Sequence, residues 1–112
     1  MKLITAIIRP DDLPGVMSAA TDAGARGLTA TRASGFGRQY GHVRKAARTG
    51  SQPVLLPKAR VEIVVSDEEA DTVVNAVLKC MSTGSVGDGK VWVVPVDTVV
   101  RASTGARDLD AI

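Results

Sequence analysis

Residues 58–65 alternate without a break: Lys58, Arg60, Glu62 and Val64 fall on one side of an extended chain, and Ala59, Val61, Ile63 and Val65 on the other. That is a strand with one face for a core. It runs directly into Ser66-Asp67-Glu68-Glu69, which has the spacing of a helix capping box. Ala70, Val73, Val74, Val77, Leu78 and Met81 then recur at helical period as an apolar stripe that ends near Gly84. A valine-rich run, residues 90–96, predicts the next strand, with Pro95 marking an edge or a strand end. The second half of the chain therefore reads strand, helix, strand.

The first half reads the same way. Residues 2–8 are a mostly apolar run bounded by Arg9-Pro10, which fits one well-covered strand. Asp11 or Asp12 offers an N-cap, Pro14 suits a first turn, and Leu13, Val16, Met17 and Ala20 share a helical face that Gly24 brings to an end. Small apolar residues alternating with Thr29, Thr31 and Ser34 predict a second strand over 28–35. Residues 97–101 predict a short fifth strand before a Thr104-Gly105 turn and a tail. Two such units in series define the fold class: α+β, a single domain spanning 1–112, ferredoxin-like βαββαβ, with four antiparallel strands and both helices on one face. The other sheet face is left bare, and a chain this size buries such a face against copies of itself.

Phe36, Tyr40 and Trp92 are the only aromatic residues, so the core must be built from Val, Ile, Leu and Ala. Cys80 has no partner for an intramolecular disulfide and reads as a small buried residue on a helix. With no signal peptide and no apolar run near 18 residues, the expected location is the cytoplasm. A net charge of +2 is too small to argue for nucleic acid, and a nucleic-acid-binding sheet would need more exposed stacking aromatics than these.

Two stretches carry the chemistry. Between Gly37 and Pro57 the periodicity collapses for about twenty residues, which is uncommon in a compact domain unless the segment is functional. Its charge has one sign: Arg38, Arg44, Lys45 and Arg48, with His42 and no acid. Such a loop presents itself to an anionic surface. The other stretch is Thr83-Gly84-Ser85-Val86-Gly87-Asp88-Gly89-Lys90. It mimics a P-loop, yet Val91 replaces the Ser/Thr that would hold a metal and a helix precedes it where a strand should, so that motif is rejected. Glycines at this density let backbone N–H groups converge, and a lysine adds charge, which suits phosphate oxygens. In such a sheet it can lie along one lateral edge with the start of the predicted third strand at Lys58 and the end of the second at Gly35-Phe36-Gly37, where a cleft is expected. Gly87, Asp88 and Gly89 would offer backbone donors there, beside Lys90 and Arg38. Deeper along that edge Thr29 and Glu62 would meet a base, with Val64 giving backbone contacts. No Ser/His/Asp arrangement, metal-spaced His/Cys pair or close carboxylate couple is present, so an enzyme is not expected.

The chain resembles the P-II signal-transduction family across almost its full length. The shared features are the opening through Arg9-Pro10, Gly27-Leu28-Thr29, Gly35-Phe36-Gly37-Arg38-Gln39, Leu56-Pro57-Lys58, Thr83 through Lys90, and the closing Arg101, Thr104-Gly105 and Asp110-Ala111-Ile112. The resemblance implies a homotrimer that binds ATP or ADP, with AMP a further candidate, in clefts between subunits and moves a protruding T-loop, residues 37–55. Carried over, Gly27, Thr29, Glu62 and Val64 surround ribose and base. Gly35, Gly37, Arg38, Gln39, Gly87, Asp88, Gly89 and Lys90 surround the phosphates in a loop spanning 82–90. Arg101, at the start of a C-terminal loop and tail over 101–112, reaches in from the neighbouring subunit. Mg²⁺ on ATP would be ligated by Gln39, and 2-oxoglutarate would meet Gln39, Gly41 and Lys58. Arg44, Lys45, Arg48 and Ser51 would meet a target protein, a transporter, enzyme or regulator, which the loop's charge requires to be acidic. Two positions depart from the pattern. Ser51 stands where many members carry a uridylylated tyrosine, and Ser103 replaces a second phosphate-gripping arginine, which narrows the advantage of ATP over ADP or AMP unless Arg107 substitutes. The rival within the family is a sensor of adenylate charge or of another small anion such as bicarbonate.

Overall fold

Antiparallel pairing links the two halves of the chain. In a computed structural model, which describes residues 1–38, 52–81, 83–85 and 87–112, β1 (Lys2–Ile8), β2 (Thr29–Gly35), β3 (Leu56–Val65) and β4 (Lys90–Pro95) form one sheet in the order β2-β3-β1-β4. All three pairings are antiparallel. Two helices, α1 (Leu13–Asp22) and α2 (Asp67–Met81), complete the expected ferredoxin-like order.

The alternation in β3 does what its period requires. Ala59, Val61, Ile63 and Val65 are buried against Ile4, Ala6 and Ile8 of β1, and Val16, Ala20, Ala70, Val73, Val77 and Met81 cover them from the helices. The core is aliphatic throughout, as the scarcity of aromatics demands. On the opposite sheet face, register places Thr29, Glu62, Thr5 and Trp92 in one transverse row and Thr31, Arg60, Ile7 and Lys90 in the next. β4 is an edge strand whose Trp92, Val93 and Val94 are all exposed.

The capping box at the start of α2 is formed. The Glu69 amide donates to Ser66 Oγ at 3.3 Å and the Ser66 amide to Glu69 Oε2 at 3.2 Å. The hydrogen bonds from Ser66, first its hydroxyl and then its amide, hold the Glu69 carboxyl below its ordinary range.

Four local expectations are corrected. Neither Asp11 nor Asp12 caps α1 through its side chain: Pro10–Asp12 is a 3-10 turn, so Asp12 already has helical dihedrals and its carboxylate lies 3.8 Å from the Arg9 guanidinium. Cys80 is on α2 but exposed, because it lies against the backbone of Gly15, which brings no side chain to cover it. Met17 and Leu78 sit at the margin of their helical stripes and are exposed. Residues 97–101 make no fifth strand, since their only ladder contact is an isolated bridge between Val100 and Arg107.

Candidate functional site: two clefts on one chain

The predicted site residues collect in two places that share no member. The first is a cleft of about 580 Å³ lined by the end of β2 and the residues after it, Gly35 to Arg38, by Lys58, by the glycine-rich loop and by Ile7, Lys90 and Trp92. Arg38, Lys58 and Lys90 give it three cations, and Phe36 and Trp92 give it two half-exposed aromatic walls. The second cleft, about 550 Å³, is lined by Gly27, Thr29, Glu62, Val64 and Arg101, with Leu3, Arg26 and Val99 and the tail residues Ala111 and Ile112. Thr29 and Glu62 are direct cross-strand partners, whereas Gly35 pairs with Leu56 six residues along β2, roughly 20 Å away at the rise of a strand. Thr29, Glu62 and Val64, expected deeper along the same edge, therefore do not lie in the cleft that holds Lys58 and Lys90 of the same chain. Lys58 and Glu62 share a face of β3, but Arg60 stands between them and its Nε donates to Glu62 Oε1 at 3.0 Å. In the second cleft, Arg101 Nη2 donates to the Ile112 main-chain oxygen at 3.3 Å.

The glycine-rich loop is built on a carboxylate. Asp88 Oδ2 accepts from the amides of Thr83 at 2.8 Å, Gly84 at 2.9 Å and Ser85 at 3.3 Å. Its Oδ1 accepts from the Thr83 hydroxyl and, at 2.8 Å, from Arg9 Nη2. The Thr83 hydroxyl and amide, then Arg9, hold the Asp88 carboxyl well below the usual carboxylate range. The Asp88 amide itself turns inward to the Ser85 carbonyl at 3.4 Å. Among the described residues, the Gly87 and Gly89 amides are not part of this internal network. Gly84, Gly87 and Gly89 have φ of 78°, 102° and 102°, the left-handed region. Gly89 is doubly constrained, because a Cβ there would stand 1.8 Å from the Ile7 carbonyl oxygen.

The P-II family profile, described as nitrogen regulatory protein P-II, matches residues 1–106. The chain belongs to the P-II family. Nitrogen regulatory protein P-II of Rhizobium meliloti (strain 1021) is 44% identical over 112 residues, covering all of both chains. Its counterpart from Pasteurella multocida (strain Pm70) is 42% identical over the same full span. Nitrogen regulatory protein P-II 2 of Methanothermobacter thermautotrophicus is 45% identical over all of this chain and 97% of its own.

For this P-II chain, Gln39, Gly41, Arg44, Lys45, Arg48 and Ser51 lie outside the described residues. Arg9 and Thr83 were not singled out as site residues from sequence, and Arg9 is 79 positions from the aspartate it holds. Only the Arg9-Pro10 boundary hinted that this arginine sits at a strand end. Among the described residues no group of three His, Cys, Asp or Glu side chains is placed to hold a metal. No helix among the described residues is long and apolar enough to cross a membrane.

Proposed function

We propose that this P-II protein is a trimeric, cytoplasmic sensor in nitrogen regulation that binds ATP or ADP between adjoining copies and reports the bound ligand through its T-loop. The observation that carries the reading is the division of the site. One cleft has phosphate chemistry, glycine amides with Arg38, Lys58 and Lys90, while the other has base chemistry, Thr29 beside Glu62 with Val64. A nucleotide needs both, and in one chain they are separate. Bringing the second cleft of one copy against the first cleft of the next would complete the pocket and add Arg101 to the phosphates. The exposed valines of β4 and the thinly covered sheet face supply apolar surface for such an assembly.

Within the pocket, Lys90 meets every nucleotide, whereas Lys58 would pair with a second small anion, 2-oxoglutarate, beside a Mg²⁺ held on ATP and by Gln39. Recruitment of Gln39 and Lys58 would then reorient the root of the T-loop, whose basic residues dock on an acidic target surface. Calorimetry with ATP, ADP and AMP, each with and without 2-oxoglutarate and Mg²⁺, alongside sizing chromatography, tests the reading. The expected result is a trimer with saturable adenylate binding, and a monomer giving no heat with any adenylate would overturn it.

A further inference from the structure

Among the described residues, a side-chain ion pair ties the glycine-rich loop to the end of the first strand. Arg9 follows β1 directly, and its guanidinium reaches the carboxylate that gathers the amides of Thr83, Gly84 and Ser85. Asp88 faces three backbone donors, one hydroxyl and one guanidinium, and the Thr83 donors, then Arg9, outweigh desolvation and favour the charged form. The consequence is geometric. Three amides are drawn toward the carboxylate and the Asp88 amide is turned to Ser85, while Gly87 and Gly89, whose amides take no part in this network among the described residues, line the cleft.

We propose that Arg9 and the Asp88 carboxylate are a positioning pair for the glycine-rich loop, with Arg9, itself outside the cleft, fixing the carboxylate on which the loop's backbone amides are gathered. Arg9 is not among the residues lining the cleft, and its side chain is one-third exposed. It contributes to binding by keeping the Asp88 carboxylate fixed against β1, which also carries Ile7, the residue whose carbonyl oxygen packs against Gly89. Lysine at position 9 would keep the charge and lose the fork, which makes it the conservative control. The proposal rests on nucleotide binding for its affinity readout, but it has a second readout that does not.

The full-length protein carrying Arg9→Ala, Arg9→Lys or Asp88→Asn would be compared with the unaltered chain. Amide hydrogen exchange at Gly84 and Ser85 in nucleotide-free protein reads the strut directly. Exchange should accelerate at least about tenfold in Arg9→Ala, the scale of one lost charge-assisted hydrogen bond, and most of that protection should return in Arg9→Lys. ATP affinity by calorimetry should fall by about tenfold or more in Arg9→Ala, recover to within about threefold in Arg9→Lys, and fall further in Asp88→Asn, whose amide group turns a donor toward the loop's own donors. Unchanged exchange and unchanged ATP affinity in Arg9→Ala would overturn the proposal. So would equal losses in the alanine and lysine variants together with a lowered melting temperature, because that pattern marks general destabilisation. If the unaltered protein gives no heat with ATP, the nucleotide reading fails while the exchange data still decide the strut.

Discussion

Gly89 shows how little room a single position can leave. Its φ of 102° is one that L side chains rarely adopt, and a Cβ would meet the Ile7 oxygen at 1.8 Å and Met81 Cε at 3.1 Å. Gly89→Ala must therefore distort both the turn and the β1 edge, at a cost of about 3 kcal/mol or more in urea unfolding. Lys90 and Lys58 carry a different kind of constraint, since both line the same cleft but serve different anions under the proposed function. Lys90→Ala should weaken every adenylate by roughly tenfold or more, the loss of one charge-assisted contact, while Lys58→Ala spares ADP and weakens only the state with the second effector. Calorimetry that gives equal losses in both variants would remove that division of labour. Asp88 and Glu69 both have lowered carboxyl values, so each contributes stability that is complete above its ordinary value, 3.8 and 4.5 respectively, and is lost as pH falls below it. An acid unfolding series should thus show stability declining below about pH 4.5, and Asp88→Asn should make the decline shallower.

Among the elements, α2 depends most visibly on its first turn. The Ser66 and Glu69 side chains satisfy each other's backbone amides, so Ser66→Ala should cost roughly 1 kcal/mol by denaturant titration and leave nucleotide affinity unchanged. This element was legible in the sequence because both of its signals are local: a four-residue box and a stripe of period 3.6. β3 was legible for the same reason, its alternation surviving intact as the buried set Ala59, Val61, Ile63 and Val65. What period alone does not carry is the extent of the neighbouring layer. Met17, Leu78 and Cys80 have the right angles on their helices, but the layer beside them stops short or offers only Gly15. The Asp12 cap failed where Pro10 started the helical turn three residues early. The Arg9–Asp88 strut was not legible because it joins residues from opposite ends of the chain, and no spacing rule reaches across 79 positions.

At the scale of the whole molecule, the sequence motifs named the members of the site but not their distribution. Thr29 and Gly35 are close in sequence, and only the strand between them shows that they belong to different clefts. That separation yields a test that no single-chain site could pass. If the proposed function holds, Lys90→Ala disables the phosphate half of a copy and Glu62→Ala the base half. In a closed ring each pocket takes one half from each of two neighbours. Under the proposed function, a homogeneous trimer of either variant would therefore have no intact pocket. When the two variants are unfolded together in equal amounts and refolded, random assembly pairs an intact phosphate half with an intact base half in about one pocket of four. Calorimetry on the mixture should then recover close to that fraction of the unaltered number of sites at unaltered affinity, with the remaining pockets weak. A site contained within one chain would recover nothing on mixing, since every chain in the mixture carries one of the two lesions.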